Sequence, residues 1–243
     1  VGGVSSGHFE SLNLGFGRGD VDENVLANYK ALSSTVGFDY KNIVMSKQVH
    51  DTIVCPVSKT DAGNGIISKN RFENVDGLVT NESNLVLTTL YADCVPLFFV
   101  DKEERVIALS HSGWKGTVNR ICEKTISVMK EKYNCKTENI LVGIGPSICG
   151  NCFEVDEPVY IAFKKSFSYA DNFIKHQQET NKYYIDMWMI IKQNLIENEI
   201  PNKNIELTQY CTKCNPDLFF SHRNMGVNRG SLAAFLELTE CKN

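Results

Sequence analysis

The hydrophobic positions of this chain follow two periodicities, one typical of helices and one of strands. Apolar residues three and four apart predict amphipathic helices over Glu23 to Val36, Val118 to Tyr133 and Ile185 to Asn198. Asp22 or Asn24 is the expected N-cap of the first helix. Short runs rich in β-branched residues predict strands over Ile43 to Met45, Leu85 to Leu90, Val95 to Val100, Val106 to Ser110, Ile140 to Ile144 and Ile205 to Gln209.

The order of these elements predicts the fold class. Strands come partly in series and partly alternate with helices, which favours an α+β arrangement with mixed sheets over a doubly wound parallel sheet. No Pro/Ser-rich linker, low-complexity tract or repeat divides the chain, so we expect a single domain over residues 1–243. With 42% hydrophobic residues, the chain can bury a core of its own.

Charge and cysteine content restrict the setting. The chain has 25 Lys and Arg against 29 Asp and Glu, a net charge of -4 and a pI near 5.8. Neither nucleic acid nor an anionic membrane is therefore an expected partner. The longest apolar run, Val95 to Val100, is too short to span a bilayer. Nine cysteines, several of them in apolar segments, indicate a reduced cytoplasmic protein rather than a disulfide scaffold.

Three short segments each offer one good ligand for a transition metal. They are Gln48-Val49-His50, Ala92-Asp93-Cys94 and the run that begins at His111, and each lies near the end of a predicted strand. One thiolate and two imidazoles leave the fourth tetrahedral position of a zinc ion open, as in catalytic zinc sites. Their separation along the chain fits no short metal-binding signature, and a buried Cys is commonly a packing residue. The metal site is thus a hypothesis that needs further support.

Asp93 precedes the candidate ligand Cys94 and has two interpretations. Its carboxylate either orients a ligating imidazole by a hydrogen bond or caps a turn. A Cys94–His111 dyad oriented by Asp93, as in cysteine hydrolases, is an alternative to metal binding. His50 separates the two hypotheses, because a dyad needs no second imidazole.

Two C-x-x-C pairs, Cys149 with Cys152 and Cys211 with Cys214, raise the question of a second metal site. Together they have the ligands for a structural zinc ion, and separately each has the spacing of a redox pair. The sequence between the pairs is longer than in a compact zinc ribbon. The simpler interpretation is free cysteines, some of them in a pocket wall.

Eight ordered motifs resemble the laccase-domain family of YfiH type. Its members are described as purine nucleoside phosphorylases, formerly called polyphenol oxidases or multicopper laccases. The match runs from about Gly2 to Arg229, over nearly the whole chain. The motifs are Gly2-Gly3-Val4-Ser5, Ser11-Leu12-Asn13-Leu14-Gly15 with Gly19-Asp20, QVH at 48–50, VDGLVT at 75–80, ADCVPL at 92–97, HSGWKG at 111–116, GPSICGNCFEV at 145–155 and FFSHR at 219–223.

The resemblance implies both a metal site and a fold. His50, Cys94 and His111 match the family's metal ligands, and zinc is its usual metal, with Cu(II) able to bind by affinity. The implied fold is a layered α/β/β/α sandwich similar to the catalytic domain of cytotoxic necrotizing factor. Asp51 stands where Gly is common in the family, and Asn224 stands where a second Arg is common.

The implied reaction is zinc-dependent phosphorolysis of a purine nucleoside: adenosine, inosine, guanosine or methylthioadenosine. Adenosine deamination is a further activity attributed to the family. Zinc would polarise a ribose or phosphate oxygen or lower the pKa of a bound water. We expect a monomer or homodimer whose partners are the nucleoside and phosphate. The residues expected to bind them are Arg18, Arg223 and Arg229 as forked donors, Lys115 as a point charge, and Asn13.

The older name of the family can be tested against the histidine count. A multicopper oxidase needs a blue-copper site and a three-copper cluster, and imidazole is the main ligand of such copper. This chain has five histidines, too few for both sites: His8, His50, His111, His176 and His222. Phenol oxidation would then come from copper at the open site. A zinc-stabilised nucleoside-binding module without turnover is the non-catalytic alternative.

Overall fold

The computed structural model describes residues 2–240. The predicted single domain over residues 1–243 extends past this range at both ends and stays a prediction. The helices are α1 (Asp22–Val36), α2 (Trp114–Val118), α3 (Ile121–Tyr133), α4 (Glu157–Ser166), α5 (Met187–Glu197) and α6 (His222–Met225). The strands are β1 (Ile43–Met45), β2 (Val54–Pro56), β3 (Gly77–Thr80), β4 (Val86–Tyr91), β5 (Val95–Asp101), β6 (Val106–Ser112), β7 (Ile140–Ile144), β8 (Glu154–Val155), β9 (Ile174–Gln177), β10 (Lys182–Ile185), β11 (Ile205–Leu207) and β12 (Leu232–Glu237).

The strands form mixed sheets, which confirms the predicted α+β class. A six-stranded sheet has the order β11-β7-β5-β6-β3-β2 and contains both parallel and antiparallel pairs. A three-stranded sheet has the order β1-β4-β12, with β1 parallel and β12 antiparallel to β4. A small sheet of order β8-β10-β9 lies apart from both.

The layers follow from the alternation of side chains along the strands. On β6, Val106 and Ala108 pack with the apolar faces of α3, α4 and α5. Ile107 and Leu109 point the other way and pack against the three-stranded sheet, for example Leu87. The outer face of that sheet is covered by α1. This order of layers is the α/β/β/α sandwich that the sequence resemblance implied.

Helix α1 shows why its layer is stable. Val25 and Tyr29 are fully buried, and the Tyr29 hydroxyl donates to the carbonyl of Leu14 at 2.8 Å. The helix ends at Gly37, whose φ of 96° lies in the left-handed region that favours glycine. The expected N-cap was wrong, because the cap is Val21 and Asp22 is already helical.

Several predicted boundaries also differ from the structure. The helix predicted from Val118 is split, since α2 ends there and Arg120 adopts a left-handed φ of 65° before α3 begins at Ile121. Helices α2, α4 and α6 and strands β2, β3, β8, β9, β10 and β12 were not predicted. Strand β12 reads Leu-Ala-Ala-Phe-Leu-Glu, which favours a helix, but it pairs with β4 over six residues. Tertiary pairing overrides local propensity there.

Space for a site lies where strands of the six-stranded sheet and of the β1-β4-β12 sheet end, beside the layer between these two sheets. Strands β1 and β4 are parallel, so both end at the same edge of their sheet. In the six-stranded sheet, β6 ends beside the start of β5. The two edges adjoin, since the rings of Tyr91 at the end of β4 and His111 near the end of β6 lie 5.4 Å apart. None of the helices within residues 2–240 is both long and apolar enough to cross a bilayer.

Candidate metal centre

His50, Cys94 and His111 converge at this edge, as the metal-site hypothesis requires. Their ligand atoms all lie within 4.8 Å of one another. The Cys94 Sγ is 3.7 Å from the His50 Nε2. The two imidazole rings lie 4.8 Å apart between centroids and meet almost edge to face, at 76°. Three soft-to-borderline ligands arranged in this way fit a zinc or copper ion with one position left for substrate.

Strand register brings two of the ligands together. Strands β5 and β6 are antiparallel, and Val95 pairs with Ser112. Cys94, the residue before β5, therefore lies beside His111, the penultimate residue of β6. His111 continues the alternation of Ile107 and Leu109, so it faces the layer between the sheets, and only 3% of it is exposed.

Asp76 is the carboxylate that orients the His111 ring, and the sequence analysis did not identify it. Gly77 pairs with Ser110 in the antiparallel β3–β6 pair, which puts Asp76 opposite His111. The Asp76 Oδ1 lies 2.8 Å from the His111 Nδ1, and Asp76 is completely buried. Such a carboxylate fixes the tautomer and the direction of a ligating imidazole. The other ring nitrogen of His111 is left for a metal.

The same carboxylate holds the segment that carries the third ligand. The backbone N–H groups of Val49, His50 and Asp51 each donate to it at 3.0 Å. His50 adopts a left-handed φ of 65°, which turns the chain around the Asp76 oxygens. Burial alone would raise the pKa of Asp76, but the hydrogen bonds with His111 and with these N–H groups hold it below its ordinary value. The carboxylate is therefore ionised at neutral pH.

Gln48 fixes the start of this segment to the neighbouring sheet. Its side-chain amide donates to the carbonyl of Leu90 and accepts from the N–H of Leu90, both at 2.8 Å. An amide side chain thus pairs with the end of β4 as another strand would. The chain around His50 is therefore held by Gln48 before it and by the hydrogen bonds to Asp76 at and after it.

Without a metal ion, Cys94 and His111 form an ion pair. Burial alone would lower the pKa of the His111 imidazole, but the Cys94 thiolate and Asp76 raise it to about 9. Burial alone would raise the pKa of the Cys94 thiol, but His111 and His50 lower it to about 6. The thiolate is the form that binds metal, and His111 must lose a proton when a metal binds.

Gly113 leaves the space that these ligands occupy. A β-carbon at this position would lie 2.5 Å from the His50 Cδ2 and 3.2 Å from the Cys94 Sγ. The φ of Gly113 is -72°, which every residue adopts, so the requirement for glycine here is one of space. The close approach of the Gly113 backbone to His50 and Cys94 supports a preformed ligand site.

A cavity of about 520 Å³ opens directly over the three ligands. Its volume lies within the range of small-molecule sites, roughly 300 to 1,000 Å³. Arg18 and Arg229 line it together with His50, Cys94 and His111. The two arginines and the three candidate metal ligands therefore line the same cavity.

Arg229 has unused capacity to bind an anion. Its Nη1 donates to the carbonyl of Gly230 at 2.9 Å, but its Nε, which is buried, has no hydrogen-bond partner among the described residues. Burial, and then the nearby charge of Arg18, lower the pKa of Arg229. The Ser46 hydroxyl, also buried and without a partner in this part of the chain, lies in the same cavity wall. Buried donors without partners are costly, and an anionic ligand would satisfy them.

Three residues expected to contact substrate lie elsewhere. The side chain of Asn13 is completely buried, with its oxygen accepting from the N–H groups of Gly15 and Ser231. Lys115 is exposed on α2, over the ring of Trp114. The guanidinium of Arg223 donates to backbone carbonyls, with distances of 3.1 and 2.9 Å, on Cys152 and Glu154. None of the three lines the cavity over the ligands.

Asp93 supports Cys94 rather than an imidazole. Its Oδ1 accepts from the Thr212 hydroxyl at 2.6 Å, and its Oδ2 accepts from the backbone N–H of Arg223 at 2.7 Å. Its φ of 83° is in the left-handed region, at the bend that leads into Cys94. Of the two interpretations of Asp93, the geometry therefore favours the one in which it stabilises a turn, and Asp76 makes the hydrogen bond to the imidazole.

The chain is similar to known proteins along nearly its whole length. The family model for multi-copper polyphenol oxidoreductase laccase matches residues 1–239. The chain is 33% identical over 240 residues to the protein named purine nucleoside phosphorylase YlmD of Bacillus subtilis (strain 168), covering 98% of this chain and 86% of that protein. It is 33% identical over 223 residues to the protein named adenosine deaminase RL5, from an unknown prokaryotic organism, covering 91% and 85%.

A solved structure extends the similarity to the fold. The crystal structure of the hypothetical protein YfiH of Bacillus licheniformis matches with a TM-score of 0.94 and 30% sequence identity. The match covers 98% of this chain and 90% of that one. The arrangement of layers described above is thus shared along almost the full length of both chains.

We expect Asp76→Asn to weaken metal binding by about 10- to 100-fold. In one orientation the amide NH2 group of Asn would point at the N–H groups of Val49 and Asp51, which now donate to Oδ2. In the other orientation it would point at the ring N–H of His111, which now donates to Oδ1. Either orientation places two donors against each other. Competition with a chromophoric chelator measures the affinity, and circular dichroism checks the fold. Asp51→Asn, at an exposed acid of the same segment, is the control. Unchanged affinity in folded Asp76→Asn would contradict the orienting role.

Gly113→Ala is expected to weaken metal binding by at least about tenfold, because the new methyl group displaces His50. Gly143→Ala is a matched control on β7, where a β-carbon would meet only Phe98, at an ordinary distance of 3.6 Å. The same chelator competition measures both variants. Equal affinity in the two variants would show that the site does not need the space at position 113.

Proposed function

The chain belongs to the multi-copper polyphenol oxidoreductase laccase family, as its motifs predicted, and we propose that it is a zinc-dependent purine nucleoside phosphorylase. The observation that carries the proposal is one cavity lined by the His50–Cys94–His111 ligands and by Arg18 and Arg229. The name of the Bacillus subtilis relative supports the same reaction.

The reaction requires an anion to meet an electron-poor carbon. An oxygen of hydrogen phosphate attacks the anomeric carbon of the ribose, and the bond from that carbon to the purine nitrogen breaks. Its electron pair leaves with the base, which takes the proton that the phosphate brought. The products are ribose 1-phosphate and the free purine. The transition state has oxocarbenium character, as in glycoside cleavage.

Arg229, Arg18 and Ser46 are suited to bind the phosphate. The unpaired Nε of Arg229 and the unpaired hydroxyl of Ser46 are buried donors in the cavity wall. An arginine presents several donors in one plane and so matches the geometry of a phosphate group. Arg18 is exposed at the cavity and adds a second positive charge, which attracts the anion before it is bound.

Phe16 is suited to hold the purine ring. It lines the cavity, and its ring stacks on Tyr29 with 5.8 Å between centroids and an angle of 4° between planes. The stack fixes the orientation of Phe16 and leaves an aromatic surface at the cavity. Purine rings pack favourably on such surfaces.

The donor set fits a resident zinc ion. Imidazole and thiolate are both zinc ligands, and three protein ligands with a fourth position open are the pattern of catalytic zinc sites. At position 113 a side chain would collide with His50 and Cys94. When bound, zinc supplies Lewis-acid polarisation of a substrate atom at the open position. Cu(II) is the alternative ion, since it binds such ligands more tightly at equal concentration.

Oxidation by several coppers receives no support from the ligands. Within residues 2–240, His50 and His111 share one group of ligands, while His176 stacks on Tyr183 and His222 pairs with the carbonyl of Gly226. A blue-copper site together with a three-copper cluster would need many more imidazoles. Phenol oxidation by copper at the single open site remains the weaker proposal.

Adenosine deamination is a second candidate, favoured by the name of one relative. In that reaction water adds to the purine ring and ammonia leaves, so phosphate is not consumed. The metal-binding wall of the cavity would serve it, whereas Arg229 and Ser46 would have no anion to bind. The two reactions therefore differ in their need for phosphate and in their products.

The cysteine hydrolase alternative is less favoured. Cys94, His111 and Asp76 have the order of a nucleophile, a base and an orienting carboxylate. His50 lies 3.7 Å from the same sulfur, however, and a dyad has no use for it. A metal site explains all three ligands.

Turnover is expected to require both phosphate and metal. We expect the zinc-loaded protein to release a purine base from at least one of adenosine, inosine, guanosine and methylthioadenosine only when phosphate is present, with ribose 1-phosphate as the second product. Chelation or Cys94→Ala should abolish this, and zinc should restore only the chelated wild type. Liquid chromatography of the products measures it. Formation of inosine and ammonia from adenosine without phosphate would identify a deaminase instead, and full phosphorolysis by metal-free protein would refute the zinc mechanism.

Arg229→Met is expected to raise the KM for phosphate by about 10- to 100-fold, because a charge-assisted hydrogen bond contributes roughly 1.5 to 3 kcal/mol. The bound zinc should be unchanged, since Arg229 is not a ligand. Initial rates at varied phosphate give the KM, and elemental analysis gives the zinc content. Lys132→Met, which removes a positive charge from the exposed side of α3, is the control. An unchanged phosphate KM would place the anion elsewhere.

A further inference from the structure

Four further thiols gather at one point outside the metal centre. They are Cys149 and Cys152 in the turn after β7, and Cys211 and Cys214 in the turn after β11. Their four sulfur atoms all lie within 4.8 Å of one another, and the Cys152 and Cys214 sulfurs are 3.4 Å apart. The pairs are separated by 58 intervening residues in the sequence but are adjacent in space. The simpler expectation of unrelated free cysteines does not explain this convergence.

The backbone itself brings the pairs together. Strand β11 is parallel to β7, with Leu207 opposite Ile144, so both strands lead into turns at the same edge. The two turns remain paired beyond the strands. The Ser147 N–H donates to the carbonyl of Tyr210, and the Thr212 N–H donates to the carbonyl of Ser147, both at 3.1 Å. Cys211 is the residue between these two bonds.

The sulfur arrangement fits a tetrahedral ion. Zinc–sulfur bonds of about 2.3 Å imply sulfur–sulfur separations near 3.8 Å, and the observed separations, none above 4.8 Å, lie close to that value. The buried Cys211 sulfur accepts a hydrogen bond from the backbone N–H of Cys149 at 3.3 Å and another from the N–H of Cys214. These two hydrogen bonds hold the Cys211 sulfur in position between the two turns.

We propose that Cys149, Cys152, Cys211 and Cys214 bind one structural zinc ion, separate from the ion at His50, Cys94 and His111. Four protein ligands close the coordination sphere, so this ion has no position for substrate. It joins two turns that otherwise share only a few backbone hydrogen bonds. Its role is to hold those turns together.

These turns also hold Asp93, the residue before the ligand Cys94. The Ile148 N–H donates to the Asp93 carbonyl at 3.0 Å, and the Thr212 hydroxyl and the Arg223 N–H occupy its carboxylate. A structural ion between the turns would therefore keep Cys94 in place. This second consequence rests on the proposed metal centre, whereas the four-cysteine site itself does not.

Metal stoichiometry tests the proposal. We expect the reduced full chain to bind two zinc ions, and Cys94→Ala and Cys211→Ser to bind one each, by elemental analysis of purified protein. Cys55→Ser changes a partly exposed thiol outside both groups and should still bind two. A single zinc in the wild type that is lost with Cys94→Ala would overturn the proposal. Iron in place of zinc, or mass spectrometry showing the four thiols joined as disulfides, would also overturn it.

Cobalt substitution of Cys94→Ala keeps the test decisive even where Cys211→Ser fails to fold. Cys94→Ala has no thiol left at the other site but retains all four of these cysteines. We expect an intense thiolate-to-cobalt charge-transfer band that stops growing at one equivalent, and a melting temperature that falls by several degrees on chelation. No band, and no change in melting temperature, would exclude a metal at this place. Because these readouts do not depend on turnover, they stay valid if the nucleoside assay fails.

Discussion

The site depends on one buried carboxylate. Asp76 precedes β3, and its oxygens accept hydrogen bonds from the His111 ring at the end of β6 and from three consecutive N–H groups of the segment around His50. Three parts of the chain that are distant in sequence are thus joined by a single group. A carboxylate with fewer donors would be costly in a completely buried position. The geometry of the candidate metal ligands is therefore set by the same hydrogen bonds that stabilise the buried charge of Asp76.

The sequence predicted the ligands better than it predicted what holds them. A thiol and two imidazoles near strand ends are visible as residue types, and the layers follow from alternation on strands such as β6. The sequence offers Asp93, next to Cys94, as an orienting carboxylate, but Asp76 makes the hydrogen bond to the His111 ring, and its place opposite His111 follows from strand register. Register between distant strands is set by tertiary pairing and cannot be read from local pattern. Strand β12 was not predicted for the same reason, because it forms by pairing with the distant strand β4.

The residues that line the cavity were harder still to predict from residue type alone. Arg18, Arg223 and Arg229 look equivalent in the sequence, yet the guanidinium of Arg223 is used by backbone carbonyls, while Arg18 and Arg229 line the cavity. An arginine is available for an anion only where the fold leaves its donors unpaired. The two groups of candidate metal ligands differ in number, since three ligands would leave a position open for chemistry and four would close the site.

The alternation of side chains along β6 has a consequence for the maturation of the protein. His111 faces the layer between the sheets only in the register that pairs Gly77 with Ser110. A slip of one residue would turn the imidazole toward the helices and leave a serine in its place. The group of His50, Cys94 and His111 can thus form only in chains whose strands have aligned correctly. An ion that needs all three ligands would therefore bind correctly paired chains and not slipped ones.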